Sequence, residues 1–280
     1  MVHMEDVRFR YGRKAPLFDG LSLELRTDTI YGLLGKNGAG KTTLLKLLCG
    51  LRFPESGRIT VDGYSPETRD PALLEEIFII PEEFPSPAVK VSQYAWLHGV
   101  FYPRFDSEEY ERHVAEFELD PDQKISEMSY GQKKKALLAF GLAANTPLLL
   151  LDEPTNGLDI PSKGQFRRLL AGAANEDRTI LISTHQVRDM ENLIDPIVVL
   201  EEGRVIFNHS VDEVTDRLTM GVAPEEPVGA IYTEQVLGGF AAVLERRDDT
   251  ASRIDLELLF NAVTTHPADM DTLFAKEAVK

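Results

Sequence analysis

The sequence is poor in cysteine, in basic residues and in long apolar runs, and each shortage excludes a class of protein. The single cysteine, Cys49, rules out an internal disulfide and fits a reducing compartment. Thirty basic against forty-six acidic residues give a formal charge of −16, which repels nucleic acid and anionic lipid at long range. The most apolar stretch, Ala136–Ala144, is far shorter than the roughly 20 residues of a membrane-spanning helix, and Met1–Lys14 lacks the apolar segment of a signal peptide. We therefore expect a chain that neither enters a bilayer by itself nor binds nucleic acid.

The apolar residues that are present indicate strands that alternate with helices. Hydrophobic residues make up 43% of the 280 positions, which is enough for a core without disulfide or metal support. Two short alternating strands open the chain, and later runs such as Thr29–Leu34 and Leu148–Leu151 are typical of buried strands. Helical segments, among them Lys41–Leu51 and Gly131–Ala144, lie between such runs. Unbroken apolar strands between helices predict a parallel sheet that is covered on both faces.

A glycine-rich segment lies between the predicted strand Thr29–Leu34 and the helix that follows it. It fits the pattern G-x-x-x-x-G-K-[ST], and its residues are Gly35, Lys36, Asn37, Gly38, Ala39, Gly40, Lys41 and Thr42. The glycines let successive backbone N–H groups turn inward, and the helix N-terminus adds a dipole that favours phosphate. In this motif the lysine reaches the β- and γ-phosphates and the threonine hydroxyl ligates Mg²⁺. The segment predicts a nucleoside triphosphate site, a feature that kinases, GTPases and motor-like ATPases share.

Two acidic residues, Asp152 and Glu153, directly follow the apolar run Leu148–Leu151. A buried parallel strand ends at the carboxyl edge of its sheet, where open α/β sheets bind ligands. Asp152 is placed there to hold the shell of Mg²⁺, and Glu153 to polarise an attacking water. A buried carboxylate without a partner is costly, and pairing with a P-loop and its metal offsets that cost.

A third segment indicates which class of P-loop protein this is. Ser129, Tyr130, Gly131 and Gln132 precede Asp152 and, together with the P-loop, resemble the ATP-binding cassette (ABC) family, the nucleotide-binding subunits of ABC transporters. The resemblance covers about residues 2–217 and makes Ser129–Gln132 the family signature. At the nucleotide, it implies that Tyr11 stacks on adenine, that the P-loop extends to Thr43 and that Asp152 binds the metal. For catalysis, it implies that Glu153 is the catalytic glutamate, that His185 is the switch histidine and that Glu82 holds the glutamine-loop position. Asp159 is implied to lie in the loop that contacts the partner subunit.

The resemblance also implies a dimeric mechanism. Two cassettes, identical or different, face head to tail and enclose two ATP molecules, with Thr42, Asp152 and Glu82 as metal ligands. The signature of one subunit closes over the ATP that the P-loop of the other subunit holds, and hydrolysis releases the two. Separate transmembrane subunits supply the transport path, so we expect the chain at the cytoplasmic face of the cell membrane.

Three residues depart from the usual family pattern. Glu82 stands in place of glutamine, with Glu83 as the alternative occupant, and its carboxylate adds repulsion near the γ-phosphate unless the metal screens it. Tyr130 replaces the first glycine of the signature, so the phosphate cradle requires a φ below zero there. Lys36 replaces a common proline and adds a positive charge beside the loop. We expect these changes to tune turnover rather than abolish it.

Several residues have two interpretations. Tyr11 is either an adenine platform or a core tyrosine of a short strand. Lys133–Lys135 invite a nucleic-acid interpretation, but three lysines that open a helix are usually a solvated face, which is the prediction here. Trp96, Tyr102 and Phe105 are either the core of a helical subdomain or a docking surface, and the resemblance favours docking onto a membrane partner.

We therefore predict an α/β protein with a P-loop NTPase core, a mainly parallel sheet, an N-terminal antiparallel β-subdomain and a helical subdomain at about residues 82–132. Residues 1–217 form the ABC ATPase domain. Residues 218–280 form a small C-terminal accessory region, with a loop-like stretch followed by an amphipathic helix near Ala268–Val279.

The predicted function is the ATP-hydrolysing subunit of an ABC membrane transporter. The YGQKKK signature and Glu82 favour an exporter. The alternative is a soluble ABC ATPase without a channel, of the iron–sulfur assembly type, whereas the tandem-cassette and coiled-coil ATPases of translation and DNA repair need a longer chain. The sequence leaves open the transported substrate, the membrane partner and the role of residues 218–280.

Overall fold

The computed structural model describes residues 1–173, 177–247 and 253–275. The strands are β1 (Val2–Phe9), β2 (Phe18–Leu25), β3 (Ile30–Leu34), β4 (Ser56–Val61), β5 (Ile77–Ile80), β6 (Leu148–Asp152), β7 (Thr179–Thr184), β8 (Ile197–Glu201), β9 (Arg204–His209), β10 (Leu218–Ala223), β11 (Tyr232–Val236) and β12 (Gly239–Glu245). The helices are α1 (Lys41–Leu48), α2 (Pro71–Leu74), α3 (Val91–Gly99), α4 (Ser107–Glu116), α5 (Tyr130–Ala143), α6 (Ile160–Ala173), α7 (Val211–Arg217), α8 (Leu256–Thr265) and α9 (Pro267–Ala275). None of these helices is long and apolar enough to span a membrane.

Six strands form the central sheet in the order β5-β6-β7-β3-β8-β9. The first five are parallel, and β9 pairs antiparallel with β8. β6 and β7 are buried along their whole length, as expected for parallel strands that are covered on both faces. The mainly parallel α/β core predicted from the sequence is confirmed.

Side chains of the central sheet alternate between two apolar cores. On β6, Leu149 and Leu151 face a core that includes α5, α6 and α8, whereas Leu148 and Leu150 face a core that includes α1 and the N-terminal strands. The N-terminal strands form an antiparallel sheet in the order β2-β1-β4. The antiparallel β-subdomain predicted from the sequence is therefore present, on the side of the sheet that carries the P-loop helix.

Helices α3, α4 and α5 surround an aromatic cluster that is centred on Phe140 of α5. The rings of Tyr94, Tyr102 and Phe105 lie 5.2, 5.9 and 5.2 Å from the Phe140 ring. Trp96 on α3, in contrast, is 76% exposed. Of the three aromatic residues with two interpretations, Tyr102 and Phe105 thus belong to the packed cluster and Trp96 lies on the surface.

The C-terminal region contains more regular structure than the sequence indicates. The stretch from Leu218, predicted to be loop-like, forms a three-stranded antiparallel sheet in the order β10-β12-β11. The prediction of a loop is wrong for these strands, because glycine, glutamate and glutamine interrupt the alternating pattern by which strands are recognised. It holds for residues 224–231, the stretch with both prolines, which connects β10 to β11 without regular structure. The helix predicted near Ala268–Val279 corresponds to α9, and residues from 276 onward lie outside the described part of the chain.

Apolar residues of this C-terminal region join the main core. Leu256, Leu259 and Val263 of α8 belong to the same buried cluster as α5 and β6. Helix α8 packs against β8, β9 and β12, and Arg188 forms an ion pair with Glu257 at the start of the helix. The division of the chain after residue 217 stays a prediction.

Candidate functional site

The P-loop runs from the end of β3 into α1. Gly38 and Gly40 have φ angles of 85° and 112°, a left-handed region that glycine occupies without strain. A Cβ on Gly40 would lie 2.6 Å from the Phe18 ring, so this position also requires glycine for space. Lys41 Nζ donates to the carbonyl oxygen of Gly35 at 2.6 Å and to that of Lys36 at 3.3 Å. Because α1 begins at Lys41, the unpaired N–H groups of its first turn point toward the loop.

Asp152 lies at the carboxyl end of β6, next to the first turn of α1. Thr42 Oγ1 donates to Asp152 Oδ2 at 2.8 Å, and the Ser183 hydroxyl donates to Asp152 Oδ1. Asp152 and Ser183 are opposite each other in the parallel pairing of β6 and β7, so the register of the sheet sets this contact. A buried carboxylate beside a hydroxyl is an all-oxygen donor set of the kind that Mg²⁺ prefers. Thr42 and Asp152 therefore fit the metal predicted for them.

Glu153 has an unusual backbone conformation for a glutamate. Its φ is 46°, in the left-handed region that costs a residue with a Cβ about 1–2 kcal/mol. The carboxylate is buried, and the backbone N–H of His185 and the Thr184 hydroxyl donate to it at 3.1 and 3.2 Å. The His185 ring Nδ1 lies 2.7 Å from Oε1, and Lys41 Nζ lies 3.9 Å from the same oxygen. These contacts hold the carboxylate on the side of the P-loop.

Burial and neighbouring charges act on Lys41 in opposite directions. Removal from water lowers the pKa of the Lys41 ammonium, while the carboxylates of Glu153, Asp152 and Glu82 raise it, and the net pKa lies below its ordinary value. One ammonium and three carboxylates thus share one edge of the sheet. Such a set is suited to an anionic ligand and a divalent cation that bind together, because each neutralises part of the charge that faces it.

The P-loop and the acidic residues face a cleft of about 650 Å³. The cleft is lined by Tyr11, Leu17, Asn37, Gly38, Gly40, Lys41, Thr42, Thr43, Glu82, Glu153, Asn156 and His185. Tyr11 is 39% exposed, and its hydroxyl forms a hydrogen bond of 2.9 Å with Thr43 Oγ1, so it lies at the cleft and not in the core. Lys36 forms an ion pair of 2.8 Å with Glu201 and is not among the lining residues.

Glu82, and not Glu83, faces the cleft. Glu82 Oε1 accepts a hydrogen bond of 2.9 Å from Asn156 Nδ2, whereas Glu83 is exposed. The backbone carbonyl of Glu82 accepts from the Tyr130 hydroxyl at 2.8 Å. Of the two residues that the sequence leaves open for the glutamine-loop position, Glu82 is thus the one that lines the cleft.

The signature segment lies at the start of α5. Ser129 Oγ accepts from the Gln132 N–H at 3.3 Å, and Gln132 Oε1 accepts from the Ser129 N–H at 3.0 Å, which is a capping box. Tyr130 is the first residue of α5, one position before the predicted start, and its helical backbone meets the requirement of a φ below zero. Of the described residues that line the cleft, none belongs to Ser129–Gln132.

Asp159 also lies outside the cleft. It is exposed just before α6, and its Oδ1 accepts from the Ser162 N–H at 2.9 Å. The signature and the Asp159 loop nevertheless adjoin each other, because a Cβ on Gly157 would lie 2.5 Å from the Tyr130 ring. The structure thus gathers the predicted site residues into two places, the cleft and the surface around the start of α5.

Lys134 corrects the prediction of a solvated face for Lys133–Lys135. Its side chain is fully buried behind the cleft, and Nζ donates to the carbonyl oxygens of Pro81 and Asp152, both at 3.3 Å. Burial lowers the pKa of the Lys134 ammonium to about 8, against the opposing attraction of nearby carboxylates. Helix α5 is buried on almost all sides from Ala136 onward, so no apolar stripe in the sequence indicates which lysine points inward.

Sequence-based prediction also misses Ser183 and Thr184, and it places Asn156 only in the partner-contacting loop with Asp159, whereas Asn156 lines the cleft. Ser183 and Thr184 end β7, and their hydroxyls donate to Asp152, the last residue of the neighbouring strand β6, and to Glu153 directly after it. The available signal was a pair of polar residues at the end of the apolar run that begins at Thr179. Because parallel strands end at one edge of the sheet, such residues lie beside the acidic pair once the strands are known to be neighbours.

Comparisons with known proteins show the family to which the chain is related. The family model described as ABC transporter matches residues 18–156. Nod factor export ATP-binding protein I of Burkholderia lata is 33% identical over 211 residues, which cover 73% of this chain and 69% of that protein. ABC transporter ATP-binding protein YtrB of Bacillus subtilis is 29% identical over 266 residues, which cover 91% of this chain and 90% of that protein.

Solved structures show the same fold. The ATP-binding subunit of an ABC transporter aligns with a TM-score of 0.69 at 25% identity, over 76% of this chain and 91% of that one. A dimeric ATP-binding cassette in a post-hydrolysis state, bound to ADP and Pi, aligns with a TM-score of 0.66 at 22% identity, over 75% and 99% of the two chains. The chain therefore belongs to the ABC transporter family, as an ATP-binding subunit with ATPase activity.

Proposed function

We propose that the chain hydrolyses ATP as a subunit of an exporter-type ABC transporter and works as a dimer around two ATP molecules. The observation that carries the proposal is a cleft that holds the P-loop, Glu153 and His185 but not the signature segment Ser129–Gln132. A second cassette, placed head to tail, supplies the missing segment. That cassette is another copy of this chain or a related chain.

In the proposed site the P-loop binds the triphosphate of ATP. Backbone N–H groups from Asn37 to Thr43 surround the phosphates, and the dipole of α1 favours their charge. Lys41 Nζ exchanges the carbonyls of Gly35 and Lys36 for phosphate oxygens, which are stronger acceptors because they are charged. Tyr11 stacks on the adenine ring at the cleft.

Thr42, Asp152 and Glu82 are the proposed ligands of Mg²⁺. When bound there, Mg²⁺ neutralises charge on the β- and γ-phosphates. Ser183 keeps the Asp152 carboxylate oriented, and Asn156 does the same for Glu82. Glu82 therefore replaces the family glutamine without losing an oxygen ligand.

Glu153 acts on the attacking water in this proposal. Hydrogen bonds from Thr184 and from the His185 N–H fix its carboxylate beside Lys41. A water held by Glu153 is aligned with the γ-phosphate and passes its proton toward the carboxylate as its oxygen bonds to the γ-phosphorus. The bond between that phosphorus and the oxygen that bridges to the β-phosphate breaks in the same step, so ADP leaves and inorganic phosphate is formed. The His185 ring, at 2.7 Å from Oε1, orients Glu153 and faces the same cleft. Catalysis then consists of positioning and electrostatics.

The start of α5 binds the ATP of the partner cassette. The first N–H groups of a helix have no acceptor within the helix, and its dipole favours an anion. Ser129 Oγ and the N–H groups of Tyr130 and Gly131 are the donors there. Asp159, whose loop adjoins Tyr130 through Gly157, contacts the partner beside them.

Separate transmembrane subunits are the proposed membrane partners, and the chain then lies at the cytoplasmic face of the cell membrane. Trp96, Val100 and Phe101, on and just after α3, are 76%, 75% and 65% exposed. Adjacent exposed apolar residues of this kind mark interaction surfaces. The name of the Burkholderia lata relative supports export as the direction of transport.

The Glu153→Gln variant tests the dimer. We expect it to bind ATP, to hydrolyse it very slowly and to accumulate as a dimer when ATP and Mg²⁺ are added, because the triphosphate that joins the subunits persists. Light scattering coupled to size exclusion measures the mass. Glu83→Gln, at the exposed neighbour of Glu82, is the control and should hydrolyse ATP without a stable dimer. A Glu153→Gln chain that stays monomeric at saturating ATP contradicts the proposal.

A further inference from the structure

Lys134 on α5 is a fully buried cation behind the candidate nucleotide site. Its Nζ donates to the carbonyl oxygens of Pro81 and Asp152, each at 3.3 Å, and lies 5.6 Å from the centre of the Phe84 ring. Lys133 and Lys135 are partly exposed, so only the middle lysine of the three points inward. Burial of an ammonium is unfavourable unless hydrogen bonds and nearby negative charge compensate it. Packing alone therefore does not account for a lysine at this position.

One acceptor of Lys134 fixes the backbone at Glu153. The carbonyl of Asp152 belongs to the peptide unit that joins Asp152 to Glu153, and the N–H of the same unit donates to the Ser183 carbonyl at 3.0 Å. The peptide unit is thus bound on one side by α5 and on the other by β7. Glu153 requires this restraint, because a φ of 46° persists in a glutamate only where the surrounding contacts impose it.

The other acceptor lies next to Glu82. The Pro81 carbonyl belongs to the peptide unit before Glu82, and the Tyr130 hydroxyl donates to the carbonyl after it at 2.8 Å. Two residues of α5, Lys134 and Tyr130, thus hold the backbone on both sides of Glu82. The ammonium also attracts the carboxylates of Asp152, Glu82 and Glu153, which would otherwise repel one another.

We infer that Lys134 is a positioning residue for ATP hydrolysis, which fixes the Asp152–Glu153 peptide unit so that the Glu153 carboxylate faces the P-loop. The inference rests on the proposed role of Glu153 toward the attacking water. Lys134 is not among the residues that line the cleft, so it acts through Glu153 and not on ATP. Its loss should therefore change the rate of hydrolysis more than the affinity for the nucleotide.

The test replaces Lys134 with methionine, which keeps most of the volume but removes the charge and the donors. We expect kcat of Lys134→Met to fall at least about tenfold, because displacement of a catalytic group by 1 Å costs on the order of 10²-fold. KM for ATP and the affinity for a non-hydrolysable ATP analogue should stay within about threefold. Lys124→Met, at an exposed lysine that lies outside both the signature and the cleft, is the control and should keep the wild-type kcat.

A double-substitution cycle distinguishes positioning from a general loosening of the fold. In the Glu153→Gln background, Lys134→Met should leave the residual kcat unchanged within about twofold, because both substitutions remove the action of the same group. If the full loss recurs in that background, Lys134 acts on something other than Glu153 and the inference is wrong.

The other outcomes separate this inference from the proposed function. Intact analogue binding and a wild-type kcat in Lys134→Met overturn the inference and leave the role of Glu153 untouched. Full turnover by Glu153→Gln overturns the proposed function itself. If Lys134→Met does not bind the analogue, Lys134→Gln, which retains a donor, is assayed in its place. A reduced kcat with unchanged KM then supports positioning, and equal loss of binding and kcat overturns it.

Discussion

In the described part of the chain, three buried cations are held by backbone carbonyls. Lys41 donates to two carbonyls of the P-loop, Lys134 to two behind the edge of the sheet, and Arg178 to those of Gly141 and Leu142 at the end of α5. Carbonyl dipoles satisfy the donors of a cation but do not neutralise its charge. At the residue scale, the charge of Lys41 is offset only in part, by carboxylates of which Glu153 lies 3.9 Å away, and the rest of that charge attracts the phosphates of ATP.

The Lys41→Ala variant should therefore bind ATP more weakly. A charge-assisted hydrogen bond contributes about 1.5–3 kcal/mol, so we expect the affinity to fall roughly tenfold to hundredfold. Isothermal titration calorimetry with a non-hydrolysable ATP analogue measures it. Lys46→Ala, on the same helix but away from the cleft, is the control and should bind as the wild type does. An unchanged affinity in Lys41→Ala refutes the phosphate site.

The site residues that are predicted from the sequence belong to short local sequence patterns. Gly35–Thr42 and Asp152 stand at fixed positions after apolar strands, so their location at the edge of the sheet follows from the strands alone. Asn156 and Lys134 become part of the site through contacts with Glu82 and Pro81, which lie far away in the sequence. No local pattern encodes such a contact.

At the scale of helices and strands, too, a strand is predictable where its own sequence shows a clear local pattern and unpredictable where it does not. β3 and β6 are continuous apolar runs because both of their faces are buried. β10 and β11 lie at the two edges of a small sheet and are only partly buried, so their sequences lack both the apolar run and the strict alternation. Partial exposure removes the selection for apolar residues on which prediction depends.

The packing of α4 on α5 makes the stability of the helical region depend on pH. His113 of α4 is buried, and its Nδ1 lies 3.3 Å from the Ala139 carbonyl of α5. Burial lowers the pKa of His113 below its ordinary 6.5; the nearby charges of Arg112 and Arg178 also lower it, whereas the Ala139 carbonyl and Glu109 raise it. The unfolded chain then binds a proton more readily than the folded one, so the free energy of unfolding decreases as pH falls below 6.5.

The His113→Gln variant should lose this contribution. Between pH 7.5 and pH 5.5 we expect its melting temperature to fall less than that of the wild type, because glutamine does not titrate there. Thermal unfolding followed by circular dichroism gives both slopes, and only their difference is interpreted, since other groups titrate in both chains. Equal slopes would show that protonation of His113 does not favour unfolding.

At the scale of the whole molecule, the C-terminal region is built onto the ATP-binding core. Helix α8 contributes Leu259 and its neighbours to the main buried cluster, and Phe274 of α9 packs on Phe207 of β9 with 5.1 Å between ring centres. A second cleft, of about 280 Å³, lies between the P-loop, the segment around His185 and α8, and Glu257 and Phe260 line it. A region that shares its core with the nucleotide site should unfold together with that site.

Substitution of Leu259 tests this joint unfolding. Leu259 is fully buried, and Leu259→Ala should cost about 2–5 kcal/mol of the free energy of unfolding, which lowers the melting temperature by about 5–15 °C. Calorimetry should show a single unfolding transition that moves to lower temperature as a whole. The ATP-binding core, which is identified by its stabilisation with a bound ATP analogue, should unfold within that transition. Leu237→Ala, at a fully exposed leucine between β11 and β12, is the control and should leave the transition in place. If residues 218–280 were a separate module, Leu259→Ala would instead produce an additional unfolding transition at lower temperature, and the main transition would stay at its wild-type temperature. The reason is that destabilisation of one module does not destabilise another with which it shares no core.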